Sequence, residues 1–179
     1  MLAGDGEVLM DHHATARSFR EIQAKAIASL HALDTIVWTV DPRKDTLRSL
    51  ASYLAGFVEE YASIVGLNCQ IEIQHGLPNL ALGPDVRHNL FLAVKEAVHN
   101  AARHAAPAMI GFRVAVRGMQ LVITIADDGR GFPKKGAPDA GHGLENLRER
   151  LVSVHGFCDV RARPKGGTLV QFCLLLPVA

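Results

Sequence analysis

The order in which two hydrophobic periodicities follow one another most constrains the fold of this chain. Apolar residues recur every three to four positions over about 46–65 and 84–105, which predicts helices, whereas "NCQIEIQH" (68–75) alternates as a half-buried strand does. Beyond residue 67 the predicted order is strand, helix, two strands, helix, two strands. Because strands and helices do not alternate regularly, we expect an α+β two-layer sandwich of a mixed or antiparallel sheet with helices on one face.

The other boundaries follow from turn residues. An earlier helix is predicted over 11–40 and stopped by Pro42, so we divide the chain into an N-terminal helical segment, 1–45, and one domain, 46–179. Gly66 should close the second helix, Pro84 suits the first turn of the third, and Gly156 should end the fourth, which starts near Gly143. The remaining strands are predicted as two hairpins, "MIGFRVAVR" with "QLVITIAD" and "FCDVRARP" with "TLVQFCLLLP".

Composition excludes several classes of function. A net charge of +1, two tyrosines and one tryptophan give no reason to expect a nucleic-acid partner. The three cysteines (Cys69, Cys158 and Cys173) fit no zinc spacing and suggest a reducing compartment. No run of 18 apolar residues predicts a membrane span, and the N-terminus does not resemble a signal peptide.

The stretch "KEAVHNAARHA" (95–105) holds the first candidate site. Glu96 and Asn100 are four residues apart, so on a helix they project on the same side, opposite an apolar face. A carboxamide oxygen and a carboxylate that orients a metal-bound water would suit Mg²⁺, which prefers oxygen ligands and keeps several waters. The alternative is a solvated helix face without a specific role.

The stretch "ITIADDGRGF" (123–132) holds the second. Asp127 follows an apolar strand, where its carboxylate can accept a hydrogen bond from a ligand amino group. Gly129 and Gly131 allow unusual backbone angles and a close approach to a ligand. The alternative is an ordinary turn, for which Asp-Asp-Gly is common.

Two glycine motifs follow. In "GHGLENLRERL", Gly141 and Gly143 precede a helix whose unpaired N–H groups point back into the loop, which predicts a phosphate site or, alternatively, an ordinary helix start. In "KGGTLVQF", Thr168 would place a hydroxyl near the group that Asp127 binds, unless the motif is only a hairpin turn.

Taken in this order, the four motifs resemble the Bergerat-type ATPase family shared by sensor histidine kinases, gyrase, MutL and the heat-shock chaperone ATPases. The resemblance covers about residues 67–177. It implies a mixed sheet under helices, with ATP between two helices beneath a mobile lid. "LDTIVWTVDPRKDTLRSLASYL" resembles the stretch that joins the dimerisation helices to the ATPase domain in short-lid sensor histidine kinases.

The resemblance also implies residue roles. Asn100 would ligate Mg²⁺, Glu96 would position a metal-bound water or act as a base, and Asp127 would accept the adenine amino proton. The remaining nucleotide-binding positions implied by the motifs are Arg103, His104, Gly129, Gly131, Gly141, Gly143, Leu144 and Thr168, and the lid candidates are Lys134 and Lys135.

Two departures from the family pattern concern the loop after the third strand. Asp128 stands where the family commonly has Asn, and we expect its carboxylate to face away from the phosphates or to meet the metal. The lid between Gly131 and Gly141 is short and lacks a separate phenylalanine-rich box.

The function implied is that of the catalytic domain of a two-component sensor histidine kinase, with ATP and Mg²⁺ as cofactors. The phosphoacceptor motif is absent, and His12, His13 and His31 do not replace it, so the acceptor histidine would lie on a dimerisation helix outside this chain. The partners implied are that phosphoacceptor domain and a response regulator, in a full-length homodimer, and the expected location is the cytoplasm.

Two alternatives remain open at this point. The first is an anti-sigma-type serine kinase, against which the linker-like "IVWTVDPRKDTL" counts. The second is a non-catalytic nucleotide-sensing interaction module, against which the intact Glu96, Asn100 and Asp127 count.

Overall fold

A computed structural model of the chain describes residues 38, 41, 44–105, 107–131 and 143–177. The chain divides into two units, 1–40 and 41–179. The helix expected over 11–40 lies outside the described residues except for Trp38, and the domain boundary expected after residue 45 stays a prediction. The following description concerns the second unit.

The first described helix, α1 (Leu47–Val65), has a defined cap at each end. The Thr46 hydroxyl accepts a hydrogen bond from the Ser49 backbone N–H at 3.2 Å, which satisfies one of the helix's unpaired donors. Gly66 adopts the left-handed conformation, with φ of 75°, and donates its N–H to Ala62 and Ser63. Gly66 therefore ends the helix as the sequence predicted.

The second helix, α2 (Pro84–Asn100), carries Pro84 in its first turn and continues directly into a π-helical segment, Ala101–Ala105. The sequence predicted one regular helix to Ala105, and the change of hydrogen bonding after Asn100 corrects that prediction. The Ala105 carbonyl accepts a hydrogen bond from the Arg130 N–H at 2.9 Å. The end of this helix is thus held by a loop that is remote in sequence, which periodicity alone does not reveal.

Within the described residues, five strands form a single mixed sheet, which confirms the predicted class. They are ordered β1-β2-β3-β5-β4. Strand β1 pairs with β2 in parallel, and the other neighbours are antiparallel. The strands are β1 (Asn68–Ile73), β2 (Met109–Arg117), β3 (Gln120–Asp127), β4 (Gly156–Ala162) and β5 (Thr168–Leu175).

The helices pack on one face of this sheet. Alternate strand residues on that face are fully buried, among them Ile110, Phe112, Ile123, Ile125 and Phe172. The opposite face carries exposed polar side chains, such as the Glu72–Arg113 ion pair at 3.3 Å, together with a buried apolar cluster of Ala115, Val122 and Cys173. None of the helices in the described part of the chain is long and apolar enough to cross a lipid bilayer.

The third helix, α3 (Gly143–Val152), ends earlier than predicted. The residue that takes the left-handed conformation after it is His155, with φ of 59°, and Gly156 already begins β4. Gly156 is needed for a different reason, because a Cβ there would lie 2.7 Å from the Cys173 carbonyl oxygen. The glycine allows the strand to start against its neighbour rather than capping the helix.

Two Gly→Ala substitutions should have opposite effects on stability. Gly156→Ala should lower the free energy of unfolding by roughly 1–3 kcal/mol, because the new methyl overpacks against Cys173 and Leu151. Gly56→Ala, in the interior of α1 with nothing within 4 Å, should raise it by roughly 0.5–1 kcal/mol through helix propensity. Urea denaturation of both variants checks this, and a stabilised Gly156→Ala would contradict the packing described.

Candidate functional site

The Glu96–Asn100 pair lies on one side of α2, as predicted. The Asn100 Nδ2 donates a hydrogen bond to the Glu96 Oε1 at 3.0 Å. On the opposite side, Val94, Ala97 and Val98 are buried in the core. This hydrogen bond fixes the orientation of the carboxamide. It leaves the Asn100 Oδ1 available as a hydrogen-bond acceptor or a metal ligand.

The start of α3 lies directly against this pair. A Cβ placed on Gly143 would be 2.8 Å from the Glu96 Oε1, 3.4 Å from the Asn100 Nδ2 and 3.9 Å from the Asn100 Oδ1. Only glycine leaves this space open. The helix beginning at Gly143 therefore presents its positive N-terminal end beside a carboxylate and a carboxamide, which places Gly143 of the third motif next to the first motif.

Asp127 is the last residue of β3 and is only 3% exposed. Its Oδ1 accepts a hydrogen bond from the Gly129 backbone N–H at 2.9 Å. This contact is a turn, as the alternative interpretation of the sequence required. Carboxylates are rarely buried to this degree unless they are paired. The turn pairs the Asp127 Oδ1 alone, so it does not by itself explain why the whole carboxylate is buried.

The fourth motif packs on the second. Gly167, with φ of 86°, lies so near Asp127 that a Cβ would collide with the Asp127 carbonyl oxygen and would lie 3.0 Å from the Asp128 Cα. A Cβ on Gly131 would in turn be 3.3 Å from the Gly167 carbonyl oxygen. Thr168 follows as the first residue of β5, so the Gly-Gly-Thr turn lies against the end of β3.

Gly129 joins this group to the end of the second helix. A Cβ on Gly129 would collide with the Ala105 carbonyl oxygen. The sequence predicted a close approach of this glycine to a ligand, but the close approach that the structure shows is to the chain's own backbone. Through Ala105, which ends the segment that follows Asn100, the two pairs of motifs belong to one region of the fold.

Asp128 faces away from Asp127, toward the start of β2. Its Oδ1 accepts hydrogen bonds from the Ala108 and Met109 backbone N–H groups, both at 2.9 Å. The Met109 hydrogen bond, with a smaller contribution from Ala108, holds the pKa of this carboxyl below its ordinary value. The Asp128 carboxylate is thus bound to the start of β2, and its orientation relative to bound phosphates stays a prediction.

The other predicted positions divide into two groups. Arg103 is exposed on the π-helical segment, which also includes the His104 backbone, and Leu144 is the second residue of α3. The His104 side chain and the residues Lys134, Lys135 and Gly141 lie outside the described residues.

Two neighbours of the site were missed at the sequence level. The Arg163 Nη1 donates a hydrogen bond to the Asp127 carbonyl oxygen at 2.6 Å. The ring of His99, next to Asn100, lies 4.7 Å from the ring of Tyr61 on α1, and burial, followed by the charge of Lys95, lowers the pKa of His99. Arg163 lies outside the four motifs, and His99, although it lies within "KEAVHNAARHA", was given no role, so only the three-dimensional structure reveals these contacts.

The side chains fit a magnesium ion better than a transition metal. In the part of the chain that the structure describes, no group of three or more His, Cys, Asp or Glu residues could hold a metal ion. A tetrahedral zinc site needs such a group. Mg²⁺ is commonly bound by one or two oxygen side chains together with waters and substrate phosphates, which is what Asn100 and Glu96 offer.

Comparisons with known proteins point to one family. Residues 85–178 match the family model described as histidine kinase-, DNA gyrase B-, and HSP90-like ATPase. Over 112 residues the chain is 32% identical to the nitrate/nitrite sensor protein NarX of Escherichia coli, covering 63% of this chain and 18% of NarX. Over 101 residues it is 26% identical to the sensor histidine kinase LiaS of Bacillus subtilis, covering 56% of this chain and 28% of LiaS.

A solved structure shows the same fold. The histidine kinase domain of the blue-light-activated kinase EL346 from Erythrobacter litoralis superimposes with a TM-score of 0.57 and 23% identity, covering 70% of this chain and 64% of that one. The fold and the matched relatives define an ATP-binding catalytic domain of the kind that sensor histidine kinases carry. The chain belongs to the histidine kinase-, DNA gyrase B-, and HSP90-like ATPase family, which confirms the family predicted from the four motifs.

The Asp128 contacts predict a specific pH dependence of stability. The carboxyl pKa in the folded protein lies below its ordinary value of 3.8, so its stabilising effect is complete above that value and is lost as pH falls through the folded pKa. Asp128→Asn keeps an acceptor oxygen but cannot bind this proton. The free energy of unfolding should therefore decline less steeply below about pH 4 in Asp128→Asn than in the wild type.

Urea titrations between about pH 6 and pH 3 test this difference. Asp128→Ala, which removes the acceptor, serves as the comparison and should already be destabilised at the upper pH. If the free energy of unfolding falls equally steeply with decreasing pH in the wild type and in Asp128→Asn, the assigned hydrogen bonds are contradicted.

Proposed function

We propose that this chain is the catalytic domain of a two-component sensor histidine kinase, which transfers the γ-phosphoryl group of Mg-ATP to a histidine on a separate dimerisation helix. The observation that carries the proposal is the convergence of the four motifs. Gly143 lies against Glu96 and Asn100, and Gly167 lies against Asp127. The chain spans less than a third of the NarX and LiaS sequences that it matches, so the acceptor and the sensory part belong to a larger protein in this proposal.

Asp127 would recognise the adenine. Its Oδ1 is used by Gly129, and no hydrogen bond to its Oδ2 comes from the described residues. A carboxylate oxygen at the end of a buried strand accepts hydrogen bonds only, which matches the adenine amino group as a donor. The Thr168 hydroxyl, at the start of β5, would support this contact, and Gly129 and Gly131 would shape the pocket through their close packing on Ala105 and Gly167.

Glu96 and Asn100 would act at the phosphate end. When bound, Mg²⁺ would supply charge neutralisation for the transferred phosphoryl group. Asn100 would contribute a neutral oxygen ligand, and Glu96 would orient a metal-bound water or accept a proton from the incoming nucleophile. The backbone N–H groups at the start of α3 would face the phosphates, because a helix N-terminus favours anions.

Cations would complete the phosphate end. Arg103 is exposed on the π-helical segment just beyond Asn100. Together with His104, Lys134 and Lys135, it would contact phosphate oxygens. Gly141 and Leu144 would shape the lid and the pocket, as the family resemblance implies. Catalysis in this account consists of positioning and charge neutralisation.

The partners follow from the same proposal. A dimerisation helix would supply the histidine nucleophile, and the receiver domain of a response regulator would accept the phosphoryl group onto an aspartate. The full-length protein would be a homodimer whose catalytic part lies in the cytoplasm. The matched relatives reported above are sensor proteins, so an anti-sigma-type serine kinase and a non-catalytic module are not favoured.

Adenine recognition gives the first test of the proposal. Asp127→Asn replaces an acceptor with a group that can offer a donor to the adenine amino proton. The Kd for Mg-ATP should rise roughly 10- to 100-fold, the effect of leaving a buried polar group unpaired. Isothermal titration calorimetry measures it, with Asp159→Asn on the exposed face of β4 as the matched control. Unchanged affinity would remove Asp127 from the adenine site.

Phosphoryl transfer gives the second test. The chain alone should not accumulate acid-labile, base-stable phosphate, because transfer needs a nucleophile held in line with the γ-phosphate. Adding a dimerisation helix with a phosphoacceptor histidine, from the same full-length protein, should produce labelling from γ-labelled ATP. Glu96→Gln should then lower the rate roughly 10²- to 10⁴-fold while ATP affinity changes little.

The controls separate this result from loss of structure. Glu60→Gln, exposed on α1, is a matched substitution outside the site and should label at the wild-type rate. Self-labelling of the chain on His12, His13 or His31 at the rate seen with the added helix would contradict the proposal. Transfer to small protein partners on serine instead would favour the anti-sigma-type kinase.

A further inference from the structure

We infer that Arg163 is a positioning residue for adenine recognition: its guanidinium holds the Asp127 main chain so that the Asp127 carboxylate can meet the adenine amino group. The inference rests on the proposed function, because it requires that Asp127 bind adenine. No motif includes Arg163. It lies in the turn between β4 and β5, and its contact with Asp127 bridges 36 positions of sequence.

The Asp127 carbonyl lies beyond the ladder between β3 and β5, although Asp127 still pairs with Ile110 of β2. The pairing of β3 with β5 ends at Ala126 opposite Leu169. One residue further on, the Asp127 carbonyl oxygen accepts the Arg163 Nη1 at 2.6 Å. Asp127 is buried, and a buried carbonyl without a partner is costly. The guanidinium thus supplies the bond that the ladder no longer provides.

Arg163 is itself held in place by the turn that it begins. Its backbone N–H donates to the Gly167 carbonyl oxygen at 3.0 Å, and its own carbonyl accepts from the Gly166 N–H at 3.1 Å. Gly167 is the residue that packs on the Asp127 carbonyl without room for a Cβ. The turn therefore contacts the end of β3 twice, through glycine backbone and through a charged donor.

The position of the Asp127 main chain determines the direction of its carboxylate. The Asp127 Oδ1 is bound to the Gly129 N–H two residues on, so the side chain's direction depends on the backbone between these residues. A shift of the Asp127 carbonyl would rotate that peptide and move the carboxylate with it. A hydrogen bond from a charged donor is stronger than a neutral one, which suits Arg163 to this task.

Nucleotide selectivity tests the inference, because purine riboside triphosphate differs from ATP only in lacking the amino group that Asp127 would bind. Binding of both nucleotides with Mg²⁺ to the 179-residue chain is measured by calorimetry. Arg163→Gln should raise the Kd for ATP about three- to tenfold and change that for purine riboside triphosphate less than about twofold. In an Asp127→Asn background, Arg163→Gln should have little further effect on ATP.

Arg161→Gln is the matched control. Arg161 is exposed on β4 and pairs with Asp159 at 3.8 Å, so its removal makes the same change of charge two residues away. It should leave both dissociation constants within about twofold of the wild type. If Arg163→Gln does not fold, Arg163→Lys, which keeps a cationic donor but not the guanidinium geometry, should show the same selective weakening to a smaller extent.

The outcomes distinguish adenine recognition by Asp127 from the positioning role of Arg163. If Asp127→Asn does not alter the ratio of the two dissociation constants, adenine recognition by Asp127 fails. If Asp127→Asn alters the ratio but Arg163→Gln weakens both nucleotides equally, or behaves as Arg161→Gln does, the positioning role of Arg163 is overturned and the proposed function is unaffected.

Discussion

The site depends on three close contacts made by glycines, two with backbone and one with the Glu96 side chain. A Cβ on Gly167 would collide with the Asp127 carbonyl, one on Gly129 would collide with Ala105, and one on Gly143 would lie 2.8 Å from the Glu96 carboxylate. These three contacts connect the end of a strand, the end of a helix, a hairpin turn and the start of another helix. These contacts bring described parts of the four motifs into one region of the fold.

The two carboxylates of the site have different surroundings, and these suit different tasks. Asp127 is buried at the end of β3 and is tied by main-chain contacts to Gly129 and Arg163, so it can serve as a fixed acceptor. Glu96 is half-buried and shares a hydrogen bond with a neutral carboxamide beside a helix N-terminus. A fixed acceptor suits recognition of a base, whereas a carboxylate among polar groups suits handling of a proton or a metal-bound water.

The sequence predicted the mixed sheet, both hairpins and the side shared by Glu96 and Asn100, because these features follow from local periodicity and turn chemistry. It did not predict the π-helical segment, the end of α3 at Val152 or the contact of Arg163 with Asp127. Each of these lies at a contact with a distant segment: the Arg130 N–H bonds to Ala105, Cys173 lies against Gly156, and the Arg163 turn contacts the end of β3. Gly129 is a further example. The sequence identified its motif, but only the structure shows that the glycine is required by its contact with Ala105.

The central claim is that the four motifs form one nucleotide site, and backbone amide chemical shifts on titration with Mg-ATP test it most directly. The account predicts concerted shifts for Asp127, Gly129, Gly143 and Thr168, together with the Asn100 side-chain amide, all fitting one Kd. Amides on the polar face of the sheet, such as those of Gln70 and Arg161, should stay unchanged. Shifts confined to one motif, or shifts of the four motifs with different dissociation constants, would contradict a single site.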